Sequence, residues 1–312
     1  MSDCAAACRY GHRMASLLER VRRRPDPIAF VLGGGGNLGA IQVGMLRALA
    51  ERGVVPDLVV GCSVGALNGV AFAQEPTLVG VARLEQLWRA LDGKDVMPTS
   101  WVPTAVQMAR RGVAIHANDG LRKVVESVVD VAAFEDLPVR FECVATDMDN
   151  AREVWFGAGP LVEPILASAA LPSVYPPVTI DGVRYIDGAV VNDVPVSRAV
   201  ALGARRIYVL HVGSFDRPLR EPKRPIDVAV LAYWIARRHR FHRDLTALPR
   251  TVEAIVLPTG DPPRIPFNDF RRSQELIDAA YQATTAHLAE RARHPVASGR
   301  AQAAVAAEPS EP

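Results

Sequence analysis

The sequence predicts an α/β protein, a three-layer α/β/α domain around a largely parallel central sheet. Three observations predict it. Short apolar runs of strand length alternate with longer segments of helical period along most of the chain. The first two apolar runs each lead straight into a glycine-rich turn and a helix, the layout of a βα unit. With 312 residues, 49% of them hydrophobic, the chain is long and apolar enough for one large core.

The elements follow in order. Residues 1–27 are polar and basic, end in "RRRPDP", and read as a poorly packed lead-in. Ile28–Leu32 is a buried strand, followed by "GGGGNLG" and a helix over 40–52 that Gly53 and Pro56 close. Leu58–Val60 is the second strand, and helices follow at 64–74 and 78–91. Residues 92–119 break the alternation and hold Trp101 among apolar residues, which fits either a surface connection or a cover over an apolar site. Further helices are expected at 120–129, 162–170, 194–202 and 272–291, and further strands at Phe141–Ala145, Arg184–Ile186, Ile207–Val212 and Ile255–Leu257. Asp181-Gly182 joins two short β-like runs as a hairpin turn. The run from Asp227 to Leu245 turns from apolar to basic within one helix. It fits a packed helix with a cationic end, or one lying on an anionic lipid surface with Trp234 and Phe241 inserted. One domain thus spans 28–292, and 293–312 reads as a disordered tail.

Composition narrows the function classes. A net charge of +2 announces no nucleic-acid binding. Four scattered cysteines make no disulfide framework and suit a reducing compartment; "CAAAC" lacks a second ligand pair for a metal site. No apolar run reaches the ~20 residues of a membrane span, and the start lacks a signal-peptide apolar region. The expected setting is cytoplasmic, with peripheral membrane contact as the alternative. Oligomeric state is left open.

The glycine loop at Gly33–Gly36 could cradle nucleotide phosphates or hold another oxygen anion. A dinucleotide site wants an acid at the end of the second strand, and there the chain has Gly61-Cys62-Ser63 instead. Gly61-Cys62-Ser63-Val64-Gly65 is a G-x-S-x-G between strand and helix, where a sharp turn exposes a serine hydroxyl and Gly61 and Gly65 keep side chains out of the bend. A right-handed βαβ unit sets the first two strands side by side, so the glycine loop and Ser63 share one sheet edge. The loop then reads as an oxyanion hole, with backbone donors at Gly34, Gly35 and Gly36 and Gly39 supporting the turn. For the base, His211 follows a strand, while Asp181, Asp187 and Asp193 cluster in "VTIDGVRYIDGAVVNDVPV". Asp181 has the hairpin as its duty and Asp193 reads as a helix cap. Asp187-Gly188 has no duty as obvious, although a turn would explain it.

Taken in order, "GGGGNLG", "GCSVG" and "DGA" resemble the patatin-like phospholipases, as do "VATDMDNAREVWFGAG" and "ASAALPSVYPPVTIDGVRYIDGAVVNDVPV". The resemblance runs from about Ile28 to Ser214. It implies a patatin-like fold with a serine acyl hydrolase activity on lipid esters, phospholipid, lysophospholipid or neutral. Ser63 would be the nucleophile and Asp187 the base of a dyad without histidine, with no cofactor and no metal. It departs from the family at Leu38, where Arg or Lys is usual, and at Cys62, where Thr is common. A Ser–His–Asp esterase using His211 and a catalytically silent lipid-binding module remain the alternatives.

Overall fold

The computed structural model describes residues 26–96, 114, 117–213, 221–263, 265–266 and 269–294. The cysteines of "CAAAC", Trp101, most of the lead-in and most of the tail lie outside the described residues. The chain runs through strand β1 (Ile28–Leu32), a 3-10 turn at Gly36–Gly39, helix α1 (Ala40–Ala50), β2 (Leu58–Cys62), α2 (Val64–Gln74), α3 (Leu78–Ala90), the short α4 (Gly93–Val96) and α5 (Asp119–Val128). It continues through β3 (Arg140–Asp147), β4 (Arg152–Phe156), α6 (Val162–Ser168), β5 (Val178–Ile180), β6 (Val183–Asp187), the one-turn α7 (Ala189–Asn192) and α8 (Val196–Ala201). It closes with β7 (Arg206–Leu210), α9 (Pro225–Thr246), β8 (Glu253–Val256) and α10 (Ser273–Arg293).

The sheet is hydrogen-bonded in the order β5-β6-β3-β2-β1-β7-β8, with β4 also on β3. Strands β3, β2, β1, β7 and β8 are parallel, while β4, β5 and β6 add antiparallel pairs. Three layers result because β1 buries both its faces. Phe30 and Leu32 pack with Ile41, Leu67 and Ile277 of α1, α2 and α10, and Ala29 and Val31 pack with Val196, Phe241 and Leu245 of α8 and α9. A strand covered on both sides reads as an unbroken apolar run, which is why β1 was legible.

Three elements differ from the sequence expectation. Strand β4, half-buried along most of its length, has no clean alternation and is fixed by pairing with β3 and by Trp155 packing on the core. Helix α8 starts at Val196, later than expected, and carries no side-chain cap, so Asp193 does not cap it. Phe241 is 3% exposed in the core, so it is unable to insert into a lipid surface; Trp234 on the same helix is 41% exposed. The hairpin at Asp181-Gly182 forms as expected, with both residues at positive φ and Ile180 facing Val183.

One feature of the pairing positions the site. Val144 and Ala145 of β3 face Cys62 of β2 and Asp187 of β6 respectively. Val144 and Ala145 also pair with Trp155 and Val154 of β4, which occupies the other edge of β3. Strands β2 and β6 therefore lie along the same edge of β3 and meet end to end. The residue after Cys62 is brought against Asp187 by the register of the sheet.

Candidate active site

Ser63 sits where β2 turns into α2. Its φ of 55° and ψ of −125° belong to a left-handed bend that a non-glycine residue adopts at a cost of about 1–3 kcal/mol, here at the turn that presents the hydroxyl. The bend is tight because Gly65 lets the first turn of α2 press on the end of β1: a Cβ there would collide with the carbonyl oxygens of Leu32 and Gly33. Gly61 has the same duty toward Ala66, and Gly188 toward Val144. The Ser63 N–H donates to Ser168 Oγ at 3.0 Å.

The Ser63 hydroxyl donates to Asp187 Oδ2 at 2.6 Å. The other oxygen, Oδ1, accepts the Ala189 N–H at 2.8 Å. Asp187 is 1% exposed, whereas Ser63 is only half-buried and reachable from outside. Burial pushes the Asp187 carboxyl up to about 6; the bonds from Ser63 and Ala189 pull the other way and only partly offset it. That value suits a proton acceptor near neutral pH, which an ordinary aspartate does not.

Ser168, at the end of α6, was not among the sequence candidates. Besides taking the Ser63 N–H, its carbonyl accepts the Gly188 N–H at 3.3 Å, and the Ala170 carbonyl accepts the Asp187 N–H at 2.9 Å. One short segment thus clasps both halves of the Ser63–Asp187 pair.

The glycine loop lies on the other side of the elbow. A Cβ on Gly34 would stand 3.2 Å from Ser63 Cβ and 2.6 Å from Asp193 Oδ1, so the bare backbone makes this approach possible. The Gly34 N–H, expected as an oxyanion donor, is instead taken by Asp193 Oδ1 and the Asp193 carbonyl, each at 3.2 Å. Among the described residues, neither the Gly35 nor the Gly36 N–H meets an acceptor. Gly35 is half-buried and Gly36, at φ 58°, is exposed. Gly39 packs under Val64 and Trp88, and Leu38 lies against the core.

A buried polar network beneath the loop was also missed. Gln42 donates to the carbonyls of Gly33 at 2.7 Å and Leu210 at 3.0 Å, and accepts from Asn68 at 2.9 Å. Asn68 donates as well to the Gly39 carbonyl at 3.0 Å and accepts the Trp88 N–H at 2.9 Å. Every donor of both amides is used, as buried amides require. Asn37 ties the loop to Pro266 and Asp269 at 2.8 Å each.

His211 stands at the end of β7, beyond β1 from Ser63. Its ring lies 6.3 Å from that of Phe241, and burial drives its pKa down to about 4, keeping it neutral. Cys62 is fully buried with its Sγ 3.9 Å from Asp187 Oδ1, and burial raises its thiol well above the ordinary range, so it is no nucleophile. Asp193 has a different partner from the expected cap: it pairs with Arg237 of α9. Among the described residues no cluster of His, Cys, Asp and Glu could hold a metal.

A family model described as patatin-like phospholipase matches residues 30–200, more than half of the chain. Patatin-like phospholipase domain-containing protein 7 of Rattus norvegicus is 31% identical over 193 residues, 61% of this chain and 14% of that protein. Lysophospholipase NTE1 of Mycosarcoma maydis is 30% identical over 226 residues, 69% of this chain and 11% of that protein. The chain thus spans only a small part of the length of the curated relatives it matches. Among solved structures, VipD from Legionella pneumophila is similar with a TM-score of 0.44 at 14% identity, covering 85% of this chain and 67% of that one.

Proposed function

The chain belongs to the patatin-like phospholipase family, and from that premise we propose that it is a serine acyl hydrolase cleaving lipid esters, phospholipid, lysophospholipid or neutral, through a Ser63–Asp187 dyad. The observation that carries the reading is the 2.6 Å bond from an accessible, strained serine to a buried carboxylate. Ser63 Oγ attacks the ester carbonyl while its proton passes to Asp187 Oδ2. The oxygen that becomes negative is met by the Gly35 and Gly36 N–H groups, each donor worth roughly 3–4 kcal/mol in the transition state. Collapse expels the alcohol, which takes the proton from Asp187 and leaves an acyl group on Ser63. Water then attacks that acyl carbon, giving its proton to Asp187. Ser63 regains a proton as the fatty acid leaves, and each step balances without a cofactor.

The second reading, a histidine triad through His211, is disfavoured by the position of that ring against Phe241 and by its burial. Fluorophosphonate labelling and p-nitrophenyl ester hydrolysis test the choice. The wild type labels and turns over, Ser63→Ala does neither, and Asp187→Asn loses about 10²–10⁴ in rate. His211→Gln retains its rate. Hydrolysis surviving Ser63→Ala refutes the nucleophile, collapse in His211→Gln refutes the dyad, and a wild type without labelling or turnover leaves the silent lipid-binding module.

Lipid contact has its own support. Val228, Val230, Trp234 and Ile235 of α9 are all exposed, at 41–53%, and the exposed Lys223 and Arg224 adjoin that apolar stretch. Such a surface suits peripheral binding to anionic lipid. Among the described residues no helix is long and apolar enough to cross a membrane.

A further inference from the structure

The pair formed by Asp193 and Arg237 has no part in the steps above, yet it adjoins them. Asp193 Oδ1 accepts the Gly34 N–H at 3.2 Å and also meets the Arg237 guanidinium. The two side chains are only 14% and 9% exposed. The guanidinium carbon lies 5.1 Å from the ring centre of Tyr233 and 4.7 Å from that of Trp234, so α9 grips it between aromatic faces. Because Gly34 abuts Ser63, the ion pair stands one backbone thickness from the nucleophile. A buried ion pair gains little over an apolar pair of equal volume, so stability alone is a weak reason for its presence.

Resting on the Ser63–Asp187 reading, we propose that Asp193 and Arg237 are positioning residues for hydrolysis: Asp193 anchors the glycine loop through Gly34, and Arg237 cancels the charge this anchor introduces beside the base. Without the cation, two carboxylates share a dry site, and each opposes the ionisation of the other. The remaining groups around Asp187 do not replace Arg237. Strand β2 offers the neutral Cys62, and β3 offers Thr146, which bonds the Asp187 carbonyl at 2.9 Å, and Asp147, which pairs with Arg152. Also on β3, Glu142 is held by Arg140 and Arg198. Helix α6 offers Ser168 and Glu163, the latter paired with Arg122, and α9 adds the phenol of Tyr233, which burial keeps protonated. In agreement, Arg237 draws the Asp187 carboxyl down and Asp193 drives it up, both weaker than burial.

The test is the acidic limb of the kcat/KM profile for ester hydrolysis in four full-length proteins: wild type, Arg237→Met, Asp193→Asn and the double variant. The base acts deprotonated, so removing the cation moves the limb toward alkaline pH and removing the anion moves it toward acid, each by about one pH unit. The double variant, again neutral overall, returns close to the wild type. A merely structural role lowers activity in all three without opposite displacements. If Arg237→Met does not fold, Arg237→Lys, which keeps the charge, must leave the limb in place while Asp193→Asn still moves it. Limbs that stay put in both single variants, or move the same way in both, overturn the pairing. A wild type that neither hydrolyses esters nor labels at Ser63 fails earlier, at the reading of the site itself.

Discussion

Replacing Asp187 by asparagine removes the base and, by the same burial that tunes it, stabilises the fold. Asparagine keeps the shape and an acceptor for the Ala189 N–H, but has no charge to bury. Raising the carboxyl from 3.8 to about 6 corresponds to about 3 kcal/mol between its two protonation states. The sign follows from linkage. Below pH 3.8 the aspartate is protonated in both folded and unfolded chains, and nothing is lost. Between 3.8 and about 6 the unfolded chain has released its proton and the folded one has not, so stability falls as pH rises through that window. Above it the full penalty is present. Urea unfolding of wild type and Asp187→Asn, compared from about pH 4 to about pH 8, should therefore show a difference that grows toward alkaline pH and levels off at about 3 kcal/mol in favour of the variant. The hydrolysis rate of the wild type should rise over the same window with a midpoint near 6. A stability difference that is flat with pH, or that grows toward acid, refutes the claim that burial sets the strength of this base.

Two further outcomes follow from the packing. Gln42→Leu leaves the buried Gly33 carbonyl without its side-chain donor, at about 1–3 kcal/mol, while the Leu210 carbonyl keeps the Gly33 N–H at 3.1 Å. Thermal unfolding should register that loss, and kcat should fall about tenfold or more, because the loop that carries the Gly35 and Gly36 donors is displaced from Ser63; an unchanged kcat in the folded protein refutes the positioning role. Trp234→Ser with Ile235→Ser removes two exposed apolar side chains, each worth about 1.5–3 kcal/mol on burial. Flotation with anionic vesicles should then weaken at least about tenfold, and equal flotation of wild type and variant discards α9 as the lipid-facing helix.

Glycines and short motifs were the legible part of this chain. Ile28–Leu32, the helix over 64–74 and the Asp181-Gly182 hairpin were readable because each is set by neighbours in sequence: an apolar run, a bend between strand and helix, two residues at positive φ. Asp193 was misread for the same reason. A carboxylate before a helix matches the local signature of a cap, but its partners are Gly34 and Arg237, 159 and 44 positions away (193 − 34 and 237 − 193). Ser168, Gln42 and Asn68 carry no local signature, since an amide or hydroxyl in an apolar helix acquires its role only from what packs against it.

By itself, then, the sequence determined the α/β class and marked the serine elbow and the bare backbone beside it, because strand length, helix period and glycine-lined bends are properties of adjacent residues; among the candidate bases, only the family resemblance singled out Asp187. Tertiary structure decided which groups meet. Strands β2 and β6 end against one another on the same edge of β3, and that register sets Ser63 on Asp187. Folding also buried the carboxylate, turned the Gly34 N–H to Asp193 and held His211 against Phe241. Burial and distance depend on every layer of the fold at once, and no stretch of sequence carries them.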